Sequence, residues 1–343
     1  MKHLRELHPK VITELIDKDF SYRLTEDDEG DIVKALEAIY SHYRYDYLHQ
    51  ALYDIDYFRE IMRSGRYVAA VAENKSGQVM GFGALDAHPW FDGLMEMGGL
   101  VVNPIARGMG LGDGLDDFRI EIGRKRNIRG LFSTPIMQNP SSQKLLSRHG
   151  FIPTGMYFHA GGPESLGGSG DGIHPMDCGF GVYIYDKETE HTLYVPEDYR
   201  ELIRDIFEEI GLNHSFAEPF EKQPVKTVMY LNHEVVSRLL EVRIGEIGQD
   251  YRERIGELPY KDEESDVEAI MLLVSMNDPL CPEFCEYLRG QGFFFTGCVP
   301  GGTNDLLVMQ HLKYSIDRDY VKAEPDYAKV LNRLYEINGS AME

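Results

Sequence analysis

The stretch that decides the fold is Val101-Val102-Asn103-Pro104-Ile105-Ala106-Arg107-Gly108-Met109-Gly110-Leu111-Gly112. An apolar run from Leu94 to Val102 leads into it and is typical of a buried strand. After the glycines, apolar residues recur at helical spacing, at Leu111, Leu115, Phe118 and Ile122. The sequence therefore predicts a strand, a glycine-rich loop and a helix in direct succession.

This layout suits a bound anion. Glycines let backbone N–H groups approach a ligand closely, and the first turn of a helix leaves N–H groups unpaired under a positive dipole end. A pyrophosphate is the expected ligand. The dinucleotide fingerprint is excluded, because the sixth place counted from Gly108 is Asp113 and from Gly110 is Leu115. The P-loop is excluded because the loop contains no lysine.

The pattern that fits is Arg-x-x-Gly-x-Gly, formed by Arg107, Gly110 and Gly112. Together with the preceding strand end, it resembles the acetyl-CoA loop of the GCN5-related N-acetyltransferases, the GNAT superfamily. The resemblance implies acetyl-CoA (coenzyme A) as the cofactor. The alternative is a glycine-rich turn that binds no ligand.

Composition bounds the other possibilities. The 343 residues suffice for two domains, and an apolar content of 43% is that of a globular protein. The net charge of −22 disfavours nucleic acid and anionic membranes, and indicates solubility or a preference for cationic substrates. The charged start lacks the apolar core of a signal peptide, so we expect a cytoplasmic protein. The four cysteines, none in Cys-x-x-Cys spacing, are expected to be buried thiols.

The resemblance covers about residues 20 to 186. It includes a helix begun by Asn139 and followed by Gly150-Phe151, and it implies a mixed sheet beside which pantetheine inserts. Before this region, periodic apolar residues predict an amphipathic helix over residues 1 to 18. Within it, residues 160 to 176 are rich in Gly, Ser, Pro and Asp, and we interpret them as a surface loop that could cover the substrate.

The second half repeats the first at an offset of 142 residues. Its longest shared pattern is Gly-Phe-x-x-Thr-Gly, at residues 150–155 and 292–297. The same offset places Gln249, Asp250, Arg252 and Arg254 where the first half has Arg107, Gly108, Gly110 and Gly112. We therefore predict an α/β protein (α+β, mixed sheets) of two tandem acetyltransferase-like domains, each a twisted mixed sheet flanked by helices. Residues 1–187 would bind acetyl-CoA, and residues 188–343 would form a degenerate copy without the loop.

The resemblance implies acetyl transfer to an amine. Such an amine has a pKa near 10.4 and must lose a proton before it attacks. Glu96 is the candidate base, and strand alternation predicts that it shares a face with Gly98, Leu100 and Val102. Backbone N–H groups around residues 100–102 would stabilise the oxyanion. The residues expected at the cofactor are Leu100, Val101, Val102, Arg107, Gly108, Met109, Gly110, Leu111, Gly112, Asn139 and Ser142.

The general acid is less clear from the sequence. Family members often carry a tyrosine four residues before the Gly-Phe pair, where this chain has Leu146. Tyr157 is our candidate, with Ser142 and Tyr185 as alternatives, and a thiolate leaving without an acid stays open. No metal is expected, because His159, His174, Asp177 and Cys178 match no metal motif.

Three functions remain open at this stage: an N-acetyltransferase acting on a small-molecule or peptide amine, an acyl-CoA-binding sensor or scaffold without turnover, and an interaction protein whose loop binds no CoA. A homodimer stays open as well.

Overall fold

The computed structural model of the chain describes residues 2–47, 49–163, 171–222, 225–234 and 237–342. The chain divides into two compact units, Met1–Leu131 and Phe132–Glu343. Strand β5, Gly130–Ser133, spans the point of division. The domain boundary predicted between residues 187 and 188 is based on the sequence repeat, whereas the division after Leu131 is based on contacts within each unit. The boundary between residues 187 and 188 therefore stays a prediction. No helix among the described residues is long and apolar enough to cross a membrane.

The first unit contains an antiparallel sheet in the order β1-β2-β3-β4. These strands are Phe20–Leu24, Tyr67–Asn74, Val79–Asp86 and Leu94–Val102. The helices are Glu29–Tyr43 (α1), Ile55–Arg63 (α2) and Leu111–Lys125 (α3). Helices α1 and α2 cover one face, over Phe82 and Ala84, whereas α3 packs through Leu111 and Leu115 on the face that carries Met80.

The predicted N-terminal helix is wrong. Only a 3₁₀ turn, Leu4–Leu7, forms within residues 2 to 18. It ends at His8 in the left-handed region (φ 50°), immediately before Pro9, which cannot continue a helix. The segment beyond is tied to the first unit instead, since the Asn103 side chain donates to the carbonyl of Ile12 (3.2 Å).

The second unit contains a mixed sheet in the order β7-β6-β13-β14-β12-β11-β10. Among the described strand pairs of this sheet, only β11–β12 is parallel. The strands of this sheet are Ile152–Gly161 (β6), Met176–Ile184 (β7), Val228–Glu234 (β10), Leu239–Glu246 (β11), Ala269–Ser275 (β12), Phe294–Val299 (β13) and Leu306–Leu312 (β14). A separate parallel pair is Glu190–Leu193 (β8) and Asn213–Phe216 (β9).

Five α-helices accompany these strands among the residues that the structure describes in the second unit. They are Pro140–Arg148 (α4), Glu197–Ile210 (α5), Tyr251–Gly256 (α6), Cys281–Gly290 (α7) and Pro325–Asn338 (α8). The order β5-α4-β6-β7 recurs as β12-α7-β13-β14, which follows the repeat found in the sequence. Gly155 pairs directly with its counterpart Gly297 where β6 meets β13. The tandem arrangement of two complete acetyltransferase-like folds stays a prediction.

All four cysteines are buried, as expected. The predicted loop over residues 160–176 is shorter in the structure. Its first two residues belong to β6, and its last residue is the first of β7. Residues 164–170 of that loop lie outside the described part of the chain.

Candidate functional site

Strand β4 carries a β-bulge just before the glycine-rich loop. Gly98 pairs with Ala84 and Val101 pairs with Phe82, so Gly99 and Leu100 together lie opposite one residue of β3. Gly99 has φ +63°, and a Cβ on it would lie 3.3 Å from the Tyr47 hydroxyl. A side chain at this position is therefore opposed both by the backbone conformation and by the packing.

The bulge changes which side chains share a face. Glu96 pairs with Asp86 and lies on the face of Phe82 and Ala84, covered by α1 and α2. Leu100 and Val102 pack instead against the core beneath α3. The prediction that Glu96, Leu100 and Val102 share one face is wrong, because the extra residue reverses the alternation between residues 98 and 101.

A buried ion pair lies beneath the bulge. The Arg119 guanidinium donates to the carbonyls of Gly98 (2.7 Å) and Ala84 (2.9 Å) and contacts the Asp116 carboxylate. Arg119 and Asp116 are 2% and 1% exposed, and Gly83 leaves the room that the guanidinium fills. The sequence analysis missed this pair. The helical spacing of the sequence could have revealed it. A second set of residues shares one face of α3, and this is the face that is buried: Leu111, Leu115, Asp116, Arg119 and Gly123.

The loop begins at an anchored asparagine. Buried Asn103 accepts a hydrogen bond from the Ile105 N–H (3.1 Å) and caps the 3₁₀ turn Pro104–Ala106. Its own N–H donates to the Met80 carbonyl (2.8 Å), which ties the strand end to β3. The loop therefore leaves the sheet in a fixed direction.

The glycines keep the start of α3 open. Gly108 and Gly110 have φ +77° and +79°, and a Cβ on either would have no neighbour within 4 Å. Both are exposed, and α3 begins directly after Gly110. The glycines are thus required by conformation, and the space around them is accessible to a ligand. This arrangement fits the anion expected from the sequence.

Arg107 is directed towards the end of α1. Its guanidinium lies 3.0 Å from Nδ1 of His42. Burial lowers the pKa of His42, and the positive charges of Arg107 and Arg44 lower it further. The imidazole is therefore neutral at neutral pH and can accept a hydrogen bond from Arg107.

Two tyrosines lie near Glu96: Tyr47, which follows α1, and Tyr67 on β2. The rings of Tyr43 and Tyr47 lie 5.0 Å apart. Burial raises the pKa of Tyr47, and the charges of Tyr43 and Glu96 raise it further. Glu96 is half-buried and close enough for its charge to act on both Tyr47 and Tyr67. The carboxylate therefore stands in a partly desolvated, aromatic environment.

The remaining predicted site residues lie in the second unit and make local contacts there. Asn139 caps α4 by accepting from the Ser141 N–H (3.1 Å), and the Ser142 hydroxyl donates to the Asn139 carbonyl (3.1 Å). The Tyr157 hydroxyl donates to Glu241 (2.8 Å), and burial raises its pKa well above the ordinary value. The roles of all three residues at a cofactor or substrate stay predictions.

No group of three or more His, Cys, Asp or Glu side chains that could hold a metal occurs in the described ranges. His174 is held between Asp171 (2.6 Å) and Asp317 (3.1 Å). His159 donates its backbone N–H to Asp177 (2.9 Å).

Comparisons with known proteins identify the class. Residues 32–151, which include β2 to β4, the loop and α3, match the model of the acetyltransferase (GNAT) family. The chain therefore carries a GNAT acetyltransferase domain. No curated protein matched the chain.

Three of the solved structures that are similar to this chain each align with about half of it. An N-acetyltransferase from Staphylococcus aureus Mu50 is 19% identical over 49% of this chain and 99% of its own, with a TM-score of 0.40. An acetyltransferase candidate from Salmonella typhimurium, solved with its cofactor acetyl-CoA, is 22% identical over 50% and 96%, with a TM-score of 0.41. Mutant forms of the spermidine/spermine N-acetyltransferase of Vibrio cholerae are 13% identical over 48% and 95%, with a TM-score of 0.39. At these values the alignments carry no argument about substrate.

Proposed function

We propose that this chain transfers an acetyl group from acetyl-CoA to an amine. The observation that carries the proposal is the open loop at the start of α3. There, two exposed glycines with positive φ present backbone next to Arg107. The acetyltransferase (GNAT) match includes this loop, which supports the cofactor assignment.

The residues of the first unit fit the cofactor. Arg107 and the backbone from Gly108 to Gly112 would hold the diphosphate, since cationic side chains and helix N-termini both favour anions. The bulge at Gly99 and Leu100 would present backbone N–H groups to the thioester carbonyl, with Val101 and Val102 continuing the strand. When bound, acetyl-CoA supplies an acetyl thioester, which is the electrophile.

Glu96 is the proposed general base. An alkyl ammonium group is mostly protonated at neutral pH, so the amine must lose a proton before it can attack. A carboxylate positioned within hydrogen-bond reach of the amine can accept that proton, and Glu96 is half-buried beside Tyr47 and Tyr67. Glu96 lies on the α1/α2 face of β4, so the amine would approach from that face.

The general acid is not assigned to the first unit. Tyr157 already donates its hydroxyl to Glu241 within the second unit, and Leu146 is buried. A thiolate with an ordinary pKa near 8.5 can also leave without a proton donor. The acceptor class is a small-molecule or peptide amine, and the net charge of −22 supports a cationic one.

A second candidate function is an acyl-CoA sensor without turnover. The hydrogen bond between Tyr157 and Glu241 favours it, because it engages the hydroxyl that was predicted to protonate the leaving group. This function needs the same loop and differs only in the chemistry that follows binding.

The test combines binding and turnover. Acetyl-CoA is titrated while thermal unfolding is recorded, and thiol release is then measured with a panel of amines. A ligand at a hundredfold its dissociation constant stabilises the folded state by about 2.7 kcal/mol. Glu96→Gln should lower kcat/KM by roughly 100-fold or more, with binding retained. Glu121→Gln, on the exposed face of α3, is the matched control and should change neither.

The outcomes separate the candidates. Binding with amine-dependent thiol release supports the transferase. Binding with no release by any amine supports the sensor. An absence of any thermal shift at millimolar acetyl-CoA would contradict both.

A further inference from the structure

We infer that His42 is a positioning residue for bound coenzyme A, because its imidazole holds the Arg107 guanidinium beside the glycine-rich loop. The inference rests on the proposed function. It adds a residue on α1 to the diphosphate site, which the sequence pattern places in the glycine-rich loop.

The geometry fixes the roles of the two side chains. Arginine has only N–H donors, so Nδ1 of His42 must accept across the 3.0 Å separation. The imidazole proton then resides on Nε2. Arg107 lies in an exposed stretch of the loop, directly before Gly108.

The end of α1 is itself held in place. The His42 ring packs edge-on against Tyr43, with ring centroids 4.5 Å apart at 71°. The next residue, Arg44, has φ +54° and donates through its guanidinium to the carbonyls of Tyr40 and Ser41, both at 2.9 Å. His42 therefore presents Nδ1 from a fixed position rather than from a fraying helix end.

This contact would reduce the cost of binding the diphosphate. An exposed arginine loses side-chain entropy when a ligand immobilises it. A hydrogen bond that restricts Arg107 beforehand removes part of that cost. Loss of His42 should therefore weaken CoA binding roughly three- to tenfold, which corresponds to about 0.7–1.4 kcal/mol and lies within the net contribution of a typical hydrogen bond.

The contact also links the cofactor loop to the residues around Glu96. Tyr43 follows His42 directly, and Tyr47 lies four residues further on, with its hydroxyl next to the bulge. A shift of Arg107 on cofactor binding would therefore reach the face of β4 on which the amine is expected. His42 makes no predicted contact with the reacting atoms, so its role is positional.

The experiment measures dissociation constants by calorimetry for coenzyme A and for pantetheine, which lacks the diphosphate. The variants are His42→Ala, His42→Asn, Arg107→Ala and the double variant His42→Ala/Arg107→Ala. Asparagine places an amide oxygen near the position of Nδ1, so His42→Asn should restore most of the affinity for coenzyme A. Thermal unfolding without ligand checks that each variant folds.

We expect His42→Ala to weaken coenzyme A roughly three- to tenfold, to leave pantetheine unchanged, and to add nothing in the Arg107→Ala background. The inference is overturned if the loss persists in that background, appears equally with pantetheine, or is not rescued by asparagine. It is also overturned if His42→Ala binds coenzyme A like the wild type, a result that leaves the proposed function intact. If the wild type itself binds no coenzyme A, both the proposed function and this inference fail.

Discussion

Helices α3 and α6 each follow a strand and a loop. The space around the loop before α3 is open, whereas the space around the loop before α6 is filled by the chain itself. In the first unit, Gly108 and Gly110 have no neighbour within 4 Å of a Cβ position. In the second unit, a Cβ on Gly248 would lie 2.3 Å from backbone atoms of Lys226 and Thr227. The second loop is therefore covered by its own chain.

Hydrogen bonds hold that cover in place. The Gln249 N–H donates to the Val225 carbonyl (3.1 Å), and the Thr227 N–H donates to the Asp250 carboxylate (2.7 Å). The same N–H holds the pKa of the Asp250 carboxyl below its ordinary value. Backbone groups that would face a ligand in an open loop are thus engaged within the chain.

The backbone at the end of the strand before the second loop, β11, also has its hydrogen-bond partners within the chain. Pairing of β11 with β12 ends at Arg243 and Leu273. There the buried Arg243 guanidinium donates to the carbonyls of Ile244 (2.7 Å) and Leu273 (3.5 Å). The comparison teaches that the same element order either leaves the loop backbone accessible or packs it against the chain itself, depending on which groups satisfy the backbone after the strand. We propose that the second half shapes or supports the protein and does not bind CoA.

The largest expected effect tests the packing role of glycine in the second unit. A Cβ on Gly297 would lie 2.3 Å from the Gly155 Cα and 2.4 Å from the Thr154 carbonyl, at φ +128°. Because backbone must move to relieve these contacts, Gly297→Ala should lower the free energy of unfolding by about 3–5 kcal/mol in urea denaturation. Gly290→Ala, at a position with open space, is the control. Equal stability of the two variants would show that the close approach of β6 and β13 is wrong.

The next effect tests the open loop of the first unit. Gly110→Val should weaken acetyl-CoA at least about 100-fold in calorimetry, because valine disfavours φ +79° and its side chain enters the ligand space. Gly65→Val carries the same backbone strain, at φ +75° and with no neighbour within 4 Å, away from the loop. It should retain wild-type affinity. If both variants lose affinity alike, the effect is general strain and the loop is not the binding site.

A smaller effect tests the closed strand of the second unit. Arg243→Ala leaves two carbonyls without their donor inside a buried region, so it should lower the free energy of unfolding by about 2–3 kcal/mol. Acetyl-CoA affinity should not change. Arg252→Ala removes an exposed ion pair with Glu283 (3.0 Å) and should cost less than about 0.5 kcal/mol. If Arg243→Ala gained CoA binding at the second unit, Arg243 alone would block the site, and the covering contacts at Gly248 and Asp250 would not matter.

Much of the first region could be predicted from the sequence. The apolar run predicted β4 over residues 94–102, and Asn139-Pro140 predicted the start of α4 from capping chemistry. Both predictions are confirmed, because runs of apolar residues and caps act over a few neighbouring residues. The absence of glycine at the repeat positions 250, 252 and 254 predicted that the second loop differs from the first.

What failed depends on contacts between distant residues. The bulge at Gly99 is set by pairing with β3, although a glycine within a strand is a known signal of one. The buried Arg119 needs the space left by Gly83, which no local pattern reveals. The helix predicted for residues 1 to 18 failed for a local reason, since Pro9 stood in its middle and its breaking effect outweighed the apolar periodicity.

The smallest expected effect compares glycines at the two helices directly. Gly256 is the last residue of α6, is exposed, and would place a Cβ in open space without a positive φ. Gly256→Ala should therefore raise the free energy of unfolding by roughly 0.5 kcal/mol, since alanine loses less backbone entropy in a helix. Gly110→Ala should lower it, because alanine is strained at φ +79°. Opposite signs in urea denaturation would show that the backbone conformation requires glycine at position 110 but not at position 256. A gain in stability from both substitutions would remove the conformational reason for glycine at position 110 and with it the distinction between the two loops.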